Sequence, residues 1–144
     1  MKPSLSIEML PPTDPAAFVP PAELLAFIKA FNRGDYRAAV DPVEALFFQR
    51  RNTFHQGLLQ YDVALMQLAL GIVRGPRRLL RRADELLAPY EPWQEGLDLD
   101  AIRAHIAAWR QALPEDVAEM DPVALAALGP PPPRLEIAPP KEPR

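Results

Sequence analysis

The chain has 144 residues, of which 49% are hydrophobic, and a formal net charge of -3. This length and composition suit one domain with a hydrophobic core, and the charge gives no overall attraction to nucleic acid or to an anionic membrane. Because the sequence contains no cysteine, it excludes a disulfide framework, a thiolate zinc site and a cysteine nucleophile. No apolar run approaches the length of a signal sequence or the roughly 20 residues of a membrane span, so we expect a cytoplasmic protein.

Proline placement divides the chain into three parts. Six prolines lie in residues 1-21 and seven in residues 129-144, whereas the longer stretch 22-128 holds only six. Proline lacks a backbone donor and has a fixed φ, so stretches rich in proline favour extended structure. We therefore predict a helical domain at 22-128, preceded by a proline-rich N-terminal extension and followed by a proline-rich C-terminal tail.

The C-terminal tail has two interpretations. Its four consecutive prolines at 130-133 favour polyproline II structure, which is typical of a solvated tail. Alternatively, the tail is an arm that lies along its own domain or along a partner. Alternation on an extended segment would then place Leu135 and Ile137 against the protein and Glu136 away from it.

Between the tails, apolar residues recur at spacings of three and four, which predicts helices and no convincing strand. The first helix begins near Pro21 and ends at Gly34, which tolerates a left-handed conformation. Asp35 is the predicted N-cap of the second helix. Within that helix, Asp41 and Pro42 predict a kink or a restart, because proline cannot donate a hydrogen bond to the preceding turn.

The third predicted helix, at 54-73, is apolar on nearly all sides, as expected of a helix at the centre of a bundle. A buried carboxylate on such a helix needs a partner or has a raised pKa. Its polar side chains, together with two carboxylates of the second helix, are the candidate polar cluster: Asp41, Glu44, His55, Gln56, Gln60 and Asp62. We favour structural roles for these residues over a functional pocket, and leave metal binding open.

The fourth predicted helix is the most clearly amphipathic segment of the chain. Its basic residues fall within an arc of roughly 140° opposite a leucine-rich face. Guanidinium groups match oxyanions in bidentate fashion, so this face is a candidate anion-binding surface, although we favour a plain solvated face. The candidate residues are Arg74, Arg77, Arg78, Arg81 and Arg82.

A fifth predicted helix follows, with Asp98 as its cap and His105 packed beside Trp109. A last short helix is predicted after Asp121 and Pro122, which repeat the pattern of a cap followed by a first helical residue. The sequence thus predicts an all-α fold, a compact antiparallel helical bundle of about five helices with extended proline-rich tails.

Residues 24-112 resemble a small helical prokaryotic family, domain of unknown function 309. The residues that carry this resemblance are the segments FNRGDYRAAVDPVEALF and FHQGLLQYDVALMQLALGIVRGPRRLLRRADELLAPY, followed by GLDL. The resemblance implies a compact helical bundle and no established activity.

The chain departs from the typical family pattern at one place. Typical members carry a His-Glu pair before a shared glutamate, which here is Glu44, and the pair is replaced by Val40 and Asp41. The resemblance implies a site that has lost its imidazole but keeps these two carboxylates and Gln60, which suit a hard cation. On this interpretation the family's site has been lost in this chain, and Asp41 and Pro42 now begin a helix at that position.

Three classes of function follow from the sequence. The favoured one is a noncatalytic interaction module that binds a protein partner or a second copy of itself. The second is a divalent-metal-binding or hydrolytic protein with a degenerate site at Asp41, Glu44, His55 and Gln60. The third is a nucleic-acid or anion binder that uses the arginine-rich helix, with nucleic acid disfavoured by the net charge. We expect no cofactor and no membrane association.

Overall fold

The computed structural model describes residues 6-141, and this part of the chain is mostly helical. The helices are α1 (Ala22–Asn32), α2 (Tyr36–Gln49), α3 (Thr53–Ala69), α4 (Arg74–Leu87), α5 (Leu99–Ala112) and α6 (Pro122–Leu128). A 3-10 turn at Ala88–Tyr90 leads into a hairpin of two short antiparallel strands, β1 (Trp93–Gln94) and β2 (Leu97–Asp98). Within residues 6-141, no helix is long and apolar enough to cross a membrane.

Side-chain caps begin most of these helices. Asp35, Asp98 and Asp121 each accept a hydrogen bond from the backbone amide three residues later, at 3.0, 3.1 and 3.0 Å. These three caps confirm the predicted starts of α2, α5 and α6. Asn52 caps α3 in the same way, with its Oδ1 2.7 Å from the amide nitrogen of His55. Because each cap satisfies an otherwise unpaired amide, it fixes where the chain enters its helix.

The predicted restart at Asp41 is wrong. Helix α2 runs without interruption from Tyr36 to Gln49, with Pro42 inside it and Asp41 exposed on its surface. An internal proline costs about 3 kcal/mol, because it removes a hydrogen bond and crowds the preceding turn. The buried face of α2 continues across Pro42, with Ala39 before it and Val43 and Leu46 after it. Burying a side chain such as Val43 or Leu46 contributes about 1.5 to 3 kcal/mol. A break in the helix would misplace this face, so packing outweighs the local cost.

Helix α3 has the most extensive packing in the fold, since it contacts α2, α4 and α6. Its approach to α4 depends on Gly57. A Cβ added at Gly57 would lie 2.7 Å from Leu87 Cδ2 and 3.2 Å from Leu86 Cβ. Helix α1 packs on α2, and α4 packs on α5. The largest fully buried side chains include Phe27, Phe31, Phe54, Leu58 and Tyr61.

The hairpin between α4 and α5 was not predicted. Its turn places Glu95 and Gly96 at φ 49 and φ 84, the left-handed conformations that a two-residue hairpin loop requires. The segment before α1 packs beside this hairpin. Its Leu10 amide donates to the Tyr90 hydroxyl at 2.9 Å, and its Thr13 hydroxyl accepts from the Glu95 amide at 3.1 Å. The hairpin therefore links distant parts of the chain.

The segment after α6 follows an extended path over α1 and the hairpin. Leu135 is buried, Ile137 is half-buried and packs on the core, and Glu136 is exposed. This is the alternation predicted for an arm that lies along its own domain.

Candidate functional site

A groove where α4 meets α5 collects arginine side chains from both helices. It has a volume of about 880 Å³, and we call it the arginine groove. Arg74, Arg78 and Arg81 share one face of α4, because residues three and four apart are neighbours on a helix. At a rise of about 1.5 Å per residue, they span roughly 10 Å along the helix axis. The groove is lined by Arg74, Arg77, Arg78, Arg81, Ala107, Arg110 and Gln111.

Three arginines of this groove have no acidic partner. Among residues 6-141, no carboxylate lies within 4.0 Å of the guanidinium nitrogens of Arg74, Arg78 or Arg81. All three residues are exposed. A guanidinium group holds a carboxylate or a phosphate through two parallel hydrogen bonds. The three side chains therefore provide a row of free donors for an anion.

The other two arginines of the groove make contacts within the protein. Arg77 donates from Nη2 to the carbonyl oxygens of Leu113, at 3.4 Å, and Pro114. Arg110 lies on α5, with its Nη1 4.0 Å from Oδ2 of Asp84. Arg77 thus ties α4 to the end of α5, and Arg110 adds positive charge from the opposite wall. Arg110 could not be predicted from the sequence, because its place in the groove depends on how α5 packs against α4.

Arg82 was predicted to belong to the same basic surface, but it lies outside the arginine groove. It lines a neighbouring groove of about 550 Å³, together with Gln60 and Gln67 of α3. Its Nη1 lies 3.4 Å from Oε2 of Glu85. Arg78 and Arg81 also line this neighbouring groove, so the two grooves meet along the arginine-bearing face of α4, with Arg82 at the edge of that face.

The candidate polar cluster is divided among separate places. His55 is buried at the start of α3, where its Nδ1 lies 2.8 Å from Asn52 Nδ2 and its Nε2 lies 2.9 Å from Glu95 Oε1. Asp62 is seven residues further along the helix, about 10 Å away along its axis. Gln60 lies in the groove that contains Arg82. Glu95 and Asn52 were missed in the sequence, because only the hairpin brings Glu95 to His55.

Three further residues of the predicted cluster lie elsewhere on the surface. Asp41 lines a shallow cavity beside Asp35 and Arg37. Glu44 and Gln56 are half-buried. Within residues 6-141, no group of three or more histidine, aspartate or glutamate side chains is arranged to hold a metal ion. His55, Gln60 and Asp41 therefore lie at three separate places.

Asp62 is the one carboxylate of this set that lies fully inside the protein. Its side chain has no exposed surface, and neither carboxylate oxygen has a hydrogen-bond partner among the described residues. Burial, with repulsion from Asp35 in second place, raises the pKa of Asp62 to about 8. Asp62 is therefore mostly protonated at neutral pH. Burial raises the pKa values of Tyr36 and Tyr61, and the nearby Asp62 raises both further.

His105 forms a second buried polar contact. Its Nδ1 lies 2.7 Å from the hydroxyl oxygen of Tyr61, and the two rings meet edge to face. Burial lowers the pKa of His105 to about 4, although the nearby Pro130 carbonyl favours the protonated ring. His105 is therefore neutral at physiological pH, as expected for the packed histidine that the sequence predicted.

Comparisons with known proteins do not assign the chain to a family. No family model, curated protein or solved structure matches it. The resemblance to domain of unknown function 309 therefore stays a prediction.

Proposed function

We propose that the protein is a noncatalytic interaction module that binds an acidic segment of a partner protein in the arginine groove. The observation that carries this proposal is the row of three arginines without acidic partners on one face of α4. Like charges in a row repel one another, and a bound carboxylate relieves that repulsion while adding charge-assisted hydrogen bonds. The two further arginines of the groove strengthen the same positive potential.

The shape of the groove favours a short polypeptide. Its three free arginines span roughly 10 Å along α4, a length that a few residues of an extended chain can follow. Ala107 and Gln111 of α5 line the same groove without negative charge. A segment with several glutamates or aspartates would place carboxylates along this row.

The charge of the whole chain favours a polypeptide over nucleic acid. The net charge of the chain is -3 even with the five positive charges of the arginine groove included. The rest of the protein therefore carries a net negative charge. A long phosphodiester backbone extends past a groove of this size and would meet that acidic surface. A short acidic segment need not extend beyond the arginines.

In this proposal the helices form a compact antiparallel bundle that acts as a rigid support, and the protein works in the cytoplasm. The packing of α3 on α2, α4 and α6 supports a bundle. The hydrogen bonds from Arg77 to the end of α5 support a groove of fixed shape. A groove with fixed walls binds with a smaller loss of conformational entropy than a flexible one.

The test is a binding titration with a fluorescein-labelled, glutamate-rich peptide, followed by fluorescence anisotropy at several salt concentrations. The groove variant replaces Arg74, Arg78 and Arg81 with glutamine. The control variant removes the same charge from the surface of α1 and α2 by replacing Lys29, Arg33 and Arg37 with glutamine, all of which are exposed.

We expect the groove variant to bind the peptide at least about tenfold more weakly than the wild-type protein, since three ion pairs contribute about 0.5 kcal/mol or more each. The control variant should keep most of its affinity. Equal losses in both variants, or no binding by the wild type, would contradict the proposal. Tighter binding of a labelled single-stranded or duplex oligonucleotide than of the peptide would instead identify a nucleic-acid binder.

A further inference from the structure

The C-terminal arm, residues 134-138, is held by Asn32 at the end of α1. Asn32 Nδ2 donates to the carbonyl oxygen of Leu135 at 2.7 Å, and its Oδ1 accepts from the Leu135 amide at 2.9 Å. One side-chain amide thus pairs with both backbone groups of one residue, as a neighbouring β-strand would. Such pairing recognises an extended backbone whatever its side chains are.

The hairpin holds the other end of the arm. The amide of Ala138 donates to the carbonyl oxygen of Gly96 at 3.0 Å, and Trp93 Nε1 donates to the carbonyl oxygen of Ala138 at 2.7 Å. Ile137 lies against Gly96, where an added Cβ would come within 2.7 Å of its Cγ2. We call the surface formed by Asn32, Trp93 and Gly96 the arm seat.

Only two side chains of the arm are taken up by the protein. Leu135 is 4% exposed and joins the hydrophobic core, and Ile137 packs against it, whereas Glu136 is exposed. The seat therefore selects a Leu-x-Ile pattern in an extended chain. Apolar side chains at alternate positions give specificity and backbone hydrogen bonds give affinity, as in peptides that bind by strand addition.

A run of prolines joins the arm to the domain. Residues 130-133 are all proline and therefore have no backbone donor to hold them to the helices. Polyproline II structure is extended already in the unbound state, so a segment of this kind loses little entropy on docking or release.

We propose that the arm seat is a binding site for an extended, proline-flanked Leu-x-Ile segment of a partner protein, and that the chain's own arm occupies this site when the partner is absent. The arm shows which ligand chemistry fits. It also competes with the partner, because a tethered segment is present at an effective concentration in the millimolar range. This site is separate from the arginine groove and does not depend on its function.

The test uses the full chain with a weakened arm. The double variant Leu135→Ser and Ile137→Ser keeps the seat but removes both anchors, and circular dichroism establishes that its helices are intact. The probe is a labelled peptide with the sequence of residues 129-141, GPPPPRLEIAPPK. The control peptide carries serine at the two anchor positions. If the double variant loses its helices, the single variant Ile137→Ser takes its place.

We expect the arm peptide to bind the weakened variant at least about tenfold more tightly than the wild-type protein, in which the tethered arm blocks the seat. Adding Asn32→Ala should reduce that affinity about tenfold, because two hydrogen bonds are lost. The control peptide should not bind. A folded variant that does not bind the arm peptide, or that binds both peptides equally, would overturn the proposal. A concentration-dependent dimer of the wild-type protein that the double variant abolishes would assign the seat to a second copy and overturn its assignment to a partner.

Discussion

Replacing the buried Asp62 with asparagine should make the protein more stable at neutral and alkaline pH. The side chain has no exposed surface, and its oxygens have no hydrogen-bond partner among residues 6-141. Ionising a carboxyl group in such surroundings is costly, because no hydrogen-bond donor or cationic side chain among residues 6-141 compensates the charge. Asparagine has nearly the same shape and carries no charge at any pH.

The magnitude follows from the pKa of Asp62, which burial raises from 3.8 to about 8. At pH values between 3.8 and about 8, the carboxyl group of Asp62 has released its proton in the unfolded chain but keeps it in the folded protein. Since the folded state binds more protons, stability must fall as pH rises, by about 1.4 kcal/mol per pH unit. The loss begins above the unfolded pKa and ends once pH exceeds the folded pKa. From about pH 5 to about pH 8 it amounts to roughly 4 kcal/mol, a large part of the 5 to 15 kcal/mol of a typical domain.

The assay is urea denaturation followed by tryptophan fluorescence, at several pH values from acidic to mildly alkaline. The quantity of interest is the difference in unfolding free energy between Asp62→Asn and wild type, because contributions from other titrating groups cancel in it. Asp41→Asn is the matched control, since Asp41 is an exposed aspartate on a neighbouring helix. The difference for Asp62→Asn should grow by at least about 2 kcal/mol over this range, and the control should follow the wild type. A difference that stays constant with pH would refute the burial of an unpartnered carboxyl group.

Three further predictions concern stability. The pKa of His105 is lowered to about 4, so the unfolded chain binds the proton first as pH falls, and wild-type stability should decrease with acidification from about pH 6.5 to about pH 4. His105→Gln should show a weaker decrease over that range in acid denaturation, whereas an identical decrease would contradict the prediction. Gly57→Ala should destabilise the protein by about 1 to 3 kcal/mol in urea denaturation, because the added Cβ would meet Leu87. Gly75→Ala is the control: its added Cβ meets only the end of the flexible Gln67 side chain, so the change should be neutral or stabilising. Asp121→Ala should lower the free energy of unfolding by about 1 kcal/mol, because α6 loses its cap. Asp41→Ala should change the free energy of unfolding by less than about 0.5 kcal/mol, because Asp41 lies within a continuous helix. A larger effect at Asp41 would indicate that it caps a helix after all.

Helix starts could be predicted from the sequence because they depend on local chemistry. Asp35, Asp98 and Asp121 each lie directly before a segment whose apolar residues recur at helical spacing, and each caps the helix that follows. The hairpin could not be predicted, since each strand has only two residues and such a strand has no periodicity. The continuity of α2 through Pro42 also escaped prediction, because it depends on a buried face whose packing partners lie elsewhere in the chain.

The candidate site was predicted only in part for the same reason. Four of the five proposed arginines line the arginine groove, because they share a helix face that periodicity reveals. The fifth arginine of the groove, Arg110, lies on α5, and only the packing of α5 on α4 brings it to the groove. The hydrogen bond between His55 and Glu95 likewise depends on the hairpin. Contacts between elements distant in the sequence are not encoded in local patterns.

The most direct test of the proposed function is a two-dimensional NMR titration of the isotope-labelled protein with the glutamate-rich peptide. If the arginine groove binds acidic segments, the largest chemical-shift changes should cluster at Arg74, Arg78 and Arg81 of α4 and at Ala107 and Arg110 of α5. Raising the salt concentration should reverse them, because the interaction is electrostatic and exposed. Small changes spread evenly over all basic residues, or changes centred away from α4 and α5, would contradict the account.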